Sequence, residues 1–408
     1  MSEQAKAGCP RTRLAFLMMN LTNEPLAALY SLLPFILRKD LGATTYQITL
    51  FITLRPLLSV FAFYWGAFLS RRKLLPNLIG AWVLGRLPFL FFPLLDQFWY
   101  LLCACGMYQL FSRAATPALI EIVKRNMPKE PRERMFSLYY LLTFMESAGL
   151  GVWCGHVLDR GAVSWKLLCA LSALAGLASV WFQRRIHIAY EEECEAVLRT
   201  CNPIVQPLKE SFRLLRVRPD FARFQWGFMC GGMALMMLAP ALSVYYVDVL
   251  HLSHLDMTTA RLVFMGVGVL CSSLLWKKGL GQVTIFRLMA YVLLGFGLFP
   301  LLLFAAPQHT SVLYLAFFIY GVAQTGSHLI WNLSGTLFAR SEDSSAPFTT
   351  VNVLMIGLRG AVGPLLGGVL CEHLGPVPVM WIGTALVGVG CLSVLRKGAQ
   401  ESGAAGTG

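Results

Sequence analysis

Six ionisable residues, Glu24, Arg55, Arg86, Arg113, Glu146 and Arg359, lie inside long apolar runs of this 408-residue chain. In hydrocarbon an ionised side chain costs at least ~2.5–3.5 kcal/mol on insertion scales, so each needs a partner, a proton or water. A buried carboxylate can gain and lose a proton as its surroundings change. An arginine can balance such a carboxylate, or hold a foreign carboxylate or phosphate through paired N–H donors. The set therefore supplies the pieces of proton transfer and of anion recognition.

Their neighbours fall at helical spacing. Asn20, Asn23, Glu24, Ala27 and Ser31 follow i, i+3, i+4, i+7, i+11 and share one helix face. Gln324, Ser327, His328, Trp331, Asn332 and Gly335 repeat the pattern, and suit a substrate wall of imidazole, indole and amides. Shorter groups are Gln109, Ser112, Arg113 and Thr116; Thr143, Glu146 and Ser147; and Asn352, Arg359 and Gly363. Arg55 shares a face with Ser59, Ala62 and Gly66. The competing reading of each is a satisfied hydrogen bond between packed helices. For Arg86 it is a long side chain that snorkels to the surface. Met229, Met233, Met236 and Met237 read as adaptable packing. Asp248, His251, His254 and Asp256 read as a solvated loop, and no metal site is expected.

These residues must be held by membrane helices. Twelve apolar stretches run at about 14–37, 47–69, 74–93, 99–122, 135–158, 165–182, 221–246, 258–276, 284–305, 312–338, 348–370 and 377–395. Each is about as long as a helix needs to cross a bilayer, roughly 20 residues. Hydrophobic residues make up 56% of the chain and charged residues 13%. That charge is about half the ~25% of soluble domains. Glu24, Glu146 and Arg359 come out near the bilayer midplane at a rise of about 1.5 Å per residue. Most of the 34 Lys and Arg fall in the even-numbered loops and the termini. The odd-numbered loops hold only Arg38, Lys39, Arg160 and Lys166. This bias predicts both termini in the cytoplasm, and it makes the net charge of +13 a product of topology rather than a nucleic-acid surface. No cleavable signal is expected, and the cysteines show no metal spacing or disulfide framework.

The longest hydrophilic stretch divides the chain. The expected organisation is a six-helix bundle over 1–182, a linker with an amphipathic helix over 183–220, a second six-helix bundle over 221–395, and a tail over 396–408. In the linker Leu208, Phe212 and Leu215 recur at helical spacing among Lys209, Arg213 and Arg216, as in a helix lying on a membrane surface. The halves match at a shift of 212: Tyr108 on Tyr320, Gly85 on Gly297, Pro88 on Pro300, Gly151 on Gly363 and Gly155 on Gly367. Parallel six-span repeats are one of the transporter plans, with the substrate near the midplane between the repeats.

The chain resembles the major facilitator superfamily along essentially its whole length. The loop after span two, Gly66-Ala67-Phe68-Leu69-Ser70-Arg71-Arg72-Lys73, keeps that family's Gly, Arg and basic cluster, with Ser70 where the motif has Asp. Ser112-Arg113-Ala114-Ala115-Thr116-Pro117 is similar to the span-four motif, whose Arg is implicated in proton coupling in the antiporters. Gly360-Ala361-Val362-Gly363-Pro364-Leu365-Leu366-Gly367-Gly368 resembles the glycine-proline motif that the antiporters carry in span five. The resemblance implies an all-α membrane fold of twelve helices in two pseudo-symmetric bundles, and a cavity lined by spans one, four, five, seven, eight, ten and eleven.

The reading that follows is a secondary transporter moving a small molecule by alternating access, coupled to protons. Glu24, Arg113 and Glu146 would carry the coupling. Asn20, Asn23, Arg55, Gln109, Gln324, His328, Trp331, Asn332 and Arg359 would bind substrate. Gly66, Arg71, Gly151, Gly155, Gly363, Pro364 and Gly367 would serve helix packing and gating. One alternative is an organic-anion or phosphate-ester carrier built on the intramembrane arginines. Another, of a different class, is a transporter-fold sensor or scaffold, for which Ser70 speaks. The sequence holds no phosphate loop, nucleotide fingerprint or nucleophile motif. No enzymatic activity or cofactor is expected. The expected partners are a small molecule, protons and the bilayer, with no nucleic acid. The expected state is a monomer in the plasma (cell inner) membrane.

Overall fold

The computed structural model describes residues 3–60, 74–95, 97–186, 205–279, 283–339 and 346–404. Among them every regular element is helical. The first is α1 (Glu3–Lys39), followed by α2 (Thr45–Val60) and by α3 (Leu74–Arg86), which tightens into a 3₁₀ turn, Leu87–Phe91. Next come α4 (Phe98–Asn126), α5 (Lys129–Asp159) and α6 (Trp165–Ala178, extended by Val180–Gln183). The linker region carries α7 (Val205–Val217). Then α8 (Pro219–Val244) ends in a π-helical turn, Tyr245–Val249. Its successor α9 begins as His254–Thr258, widens into a π turn, Thr259–Phe264, and continues as Met265–Gly279. The last four are α10 (Ile285–Ala305), α11 (Thr310–Phe338), α12 (Ala346–Leu374) and α13 (Pro376–Ala404).

Nine of these helical stretches, among the described residues, are long and apolar enough to cross a membrane. The other predicted spans lie on α1, α2 and α4. In α1 the stretch is broken by Asn20, Asn23, Glu24 and Pro25, and only 16 residues of α2 are described. Helices suit this setting because each backbone N–H finds its carbonyl within the same segment, where no water could serve. Turns are sharp and local. Gly375 follows α12 at φ +81°, a left-handed position, and its N–H returns 2.9 Å to Cys371 O. Gly161 closes α5 in the same way at φ +63°.

The chain divides into two compact units, neither contiguous in sequence. Unit 1 takes the described residues of Met1–Ile36, Leu57–Arg199 and Ser253–Thr258. Unit 2 takes those of Leu37–Pro56, Thr200–Leu252 and Thr259–Gly408. In unit 1 the core packs Phe16, Met19, Leu78, Trp82, Ala115, Ile122 and Met135, from α1, α3, α4 and α5. In unit 2 it packs Phe221, Phe224, Phe286, Phe296, Phe338 and Phe348. Outward-facing residues such as Leu274 (70% exposed) and Leu275 (69%) stay apolar, as helices facing lipid require.

The linker helix has one face on protein and one turned away from it. Ser211 is buried on α7, and Leu214 and Leu215 pack against the core of unit 2, while Phe212 points out at 57% exposure.

Candidate functional site

In unit 1 the polar stripe of α1 splits between three kinds of partner. Asn20 Nδ2 donates to Phe16 O of its own helix at 2.7 Å. Asn23 is tied to two neighbours: its Oδ1 accepts from Arg86 Nε at 2.9 Å and Nη2 at 2.6 Å, and its Nδ2 donates to Tyr108 Oη at 3.4 Å. Glu24 turns to α5. The Ser147 hydroxyl lies within hydrogen-bonding reach of its carboxylate, and Glu146 is close enough for the two carboxylates to repel. Tyr139, two turns back along α5, also feels the charge of Glu24. Glu146 Oε2 is buried and has no hydrogen-bond partner among the described residues. The structure thus brings Glu24 and Glu146 together.

Arg86 does not snorkel. It is 1% exposed, its Nη1 donates to Trp82 O at 3.0 Å, and its guanidinium lies 3.3 Å from the centre of the Trp82 ring. Trp82 Nε1 is fixed in turn by Gly176 O at 2.8 Å. A Cβ at Gly176 would sit 3.1 Å from Arg86 Cδ, so a larger residue there would press on the arginine. On α4, Gln109 is buried and Arg113 half-buried, both within unit 1.

In unit 2 a second polar group forms. His328 on α11 is exposed and within electrostatic range of Arg55 and Arg359. Its Nε2 lies 3.5 Å from Gln324 Nε2, one turn back. Gln324 Oε1 and Trp331 Nε1 are buried without hydrogen-bond partners among the described residues. Arg55 is exposed on α2. The side chain of Asn332 lies outside the described ones. Arg359 is buried at 8% exposure: its Nη1 donates to Phe228 O at 2.9 Å and its guanidinium lies 4.3 Å from the Phe228 ring centre. The space it occupies exists because residue 232 is Gly, where a Cβ would collide with the guanidinium. A buried amide chain runs beside it, with Gln225 Nε2 donating to Asn352 Oδ1 and Asn352 Nδ2 donating to Ser334 Oγ at 2.7 Å.

The small residues make close helix contacts. A Cβ at Gly367 would strike the backbone of Met237 in α8, and one at Gly363 would press on Met233 and Met236. Pro364 is buried between them in α12. In unit 1 Gly151 is buried, and a Cβ at Gly155 would meet Leu255 and Thr258. Gly66 and Arg71 lie outside the described residues. In the 248–256 region Asp248, His254 and Asp256 are engaged with neighbours. Arg38 pairs with Asp248, and Asp256 accepts from Ser253 Oγ at 2.8 Å. Asp159 accepts from the backbone N–H groups of His254 (2.8 Å) and Leu255 (2.9 Å), and lies 2.9 Å from His254 Nδ1.

Sequence reasoning missed Tyr139, Gln225, Phe228 and Gly232. Phe228 acts through its carbonyl and ring, and Gly232 through the absence of a side chain, so neither carries a polar signal. The Gly231-Gly232 doublet in an apolar helix was the available clue.

Described residues that are nearly all helical, in long apolar helices with buried polar groups, have the architecture of a multi-pass membrane protein. Its sequence matches the Major Facilitator Superfamily model over residues 15–358. The chain belongs to that superfamily. Among solved structures, the nucleoside transporter NupG aligns at 12% identity and a TM-score of 0.71, covering 94% of this chain and 98% of that one. A peptide transporter POT in complex with sulfate aligns at 12% identity and a TM-score of 0.73, covering 95% and 93%. These likenesses establish the fold. No curated protein matches the sequence significantly.

Proposed function

We propose that this protein is a proton-coupled secondary transporter that moves a small molecule by alternating access, with Glu24 and Glu146 as the proton site. The observation that carries the reading is the meeting of Glu24 and Glu146 between α1 and α5, with Ser147 and Tyr139 beside them. Two carboxylates that close in apolar surroundings cannot both stay ionised cheaply, so the pair is suited to hold a proton and to release it when water or a cation approaches. Arg113 is assigned the role of that cation. Gln324, His328 and Trp331 are assigned to substrate, because their unsatisfied amide and indole groups offer hydrogen bonds that a ligand would complete. The protein acts at the plasma membrane with both termini cytoplasmic, as the charge bias supports.

The test begins with a thermal-shift screen of the purified protein, since a ligand that binds the folded state raises its apparent stability. Nucleosides and peptides, after the names of the structural neighbours, head the panel. Uptake of the hit into proteoliposomes is then measured with and without an imposed proton gradient. Glu24→Gln should abolish gradient-driven accumulation while leaving binding and exchange largely intact. Normal accumulation by Glu24→Gln would overturn the assignment.

A further inference from the structure

A cavity of about 50 Å³ lies wholly within unit 2, between α8, α10, α11 and α12. Most of its lining is apolar, including Phe228, Met236 and Ile330; the polar side chains are Arg359 and Ser327. Arg359 is more than nine-tenths buried, and its Nε is buried with no hydrogen-bond partner among the described residues. Its guanidinium meets the Phe228 carbonyl and ring, neither of which carries a countercharge. A buried cation left this way is costly, and an N–H donor facing a cavity invites an acceptor.

We propose that this cavity is a binding site for a small monovalent anionic group, a halide ion or a carboxylate head, held by Arg359 Nε–H with the Ser327 hydroxyl as a second donor. Size sets the class. The space exceeds the roughly 10–15 Å³ that one water needs, and falls far below the roughly 300–1,000 Å³ of pockets that enclose a drug-sized ligand. Donor count sets the charge, because one guanidinium and one hydroxyl satisfy a monovalent anion and leave a phosphate dianion short of partners. Gly232 keeps the guanidinium in place, and the apolar walls strengthen its attraction for the anion by excluding water. The site rests on unit 2 alone and stands whichever way the Glu24 experiment falls.

The test uses the purified full-length protein in gluconate buffer at fixed ionic strength. Radiolabelled chloride should bind saturably to wild type. That binding should be lost in Arg359→Gln, and also in Ser327→Leu, which fills the cavity and leaves the arginine. Should Arg359→Gln fail to purify as a folded protein, Ser327→Leu decides. Formate and acetate are then added as competitors. Displacement of chloride assigns the site to carboxylates as well, including one carried by a substrate, and no displacement assigns it to free halide; both support the site. Chloride binding retained in Ser327→Leu would overturn the proposal. So would the absence both of saturable chloride binding and of any melting shift with formate or acetate in wild type.

Discussion

Arg86 and Arg359 are both buried guanidiniums, and they are satisfied to different degrees. Arg86 donates two bonds to Asn23 Oδ1 and one to Trp82 O and lies over the Trp82 ring, whereas Arg359 has one carbonyl and one ring. Asn23 was read from its spacing as a substrate ligand, and the structure commits its carbonyl to Arg86. Asn23→Leu should therefore lower stability by at least about 1.5–3 kcal/mol, the worth of hydrogen bonds to a charged group. The double variant Asn23→Leu with Arg86→Met should recover part of that loss, because it also removes the stranded cation. Thermal unfolding in detergent measures both, and a double variant no more stable than Asn23→Leu would show that the pair is not coupled. The existence of buried charge was legible in the sequence, since each residue interrupts an apolar run. Which residue meets which was not, because helix rotation and neighbour choice are set by packing. That is why Asn23 and Arg86, 63 positions apart, could not be joined by reading.

At the scale of elements, the helical character and the rough positions of the described helices were legible from apolar length. Pitch was not. The π turns Tyr245–Val249 and Thr259–Phe264 leave no mark that hydropathy can show. Gly155, Gly363 and Gly367 stood out in the sequence as small residues at regular spacing, and the structure identifies what they touch. Gly367→Val should sharply reduce the yield of folded protein, since its Cβ meets Met237 backbone that cannot step aside. Gly149→Ala, where nothing lies within 4 Å, should change stability by no more than about 0.5 kcal/mol. Melting temperatures of the two variants against wild type give the comparison. Equal effects would mean that the α8–α12 contact is not tight.

For the whole molecule, the charge bias makes a prediction about sidedness. Single cysteines placed by Ser2→Cys, Glu192→Cys and Gln400→Cys in a cysteine-free background should resist an impermeant thiol reagent in intact cells and react after permeabilisation. Labelling from outside at either terminus would reject the topology. The superfamily was legible because its motifs are local strings such as Ser112–Pro117 and Gly360–Gly368. The composition of the compact units was not, because it depends on contacts between residues far apart in the chain.

That composition bears on how the protein is made. Leu37–Pro56 leaves the ribosome among the first segments, yet it groups with residues that follow Thr200. Conversely, unit 1 lacks Ser253–Thr258 until well past the linker, and until then Gly155 and the Asp159 carboxylate have nothing to receive. Biosynthesis therefore cannot complete one unit before starting the other; the early helices must wait in the bilayer, partly assembled, for late segments to arrive. A fragment ending at Arg199 should insert and yet remain readily degraded, and co-expressing residues 200–408 should rescue it.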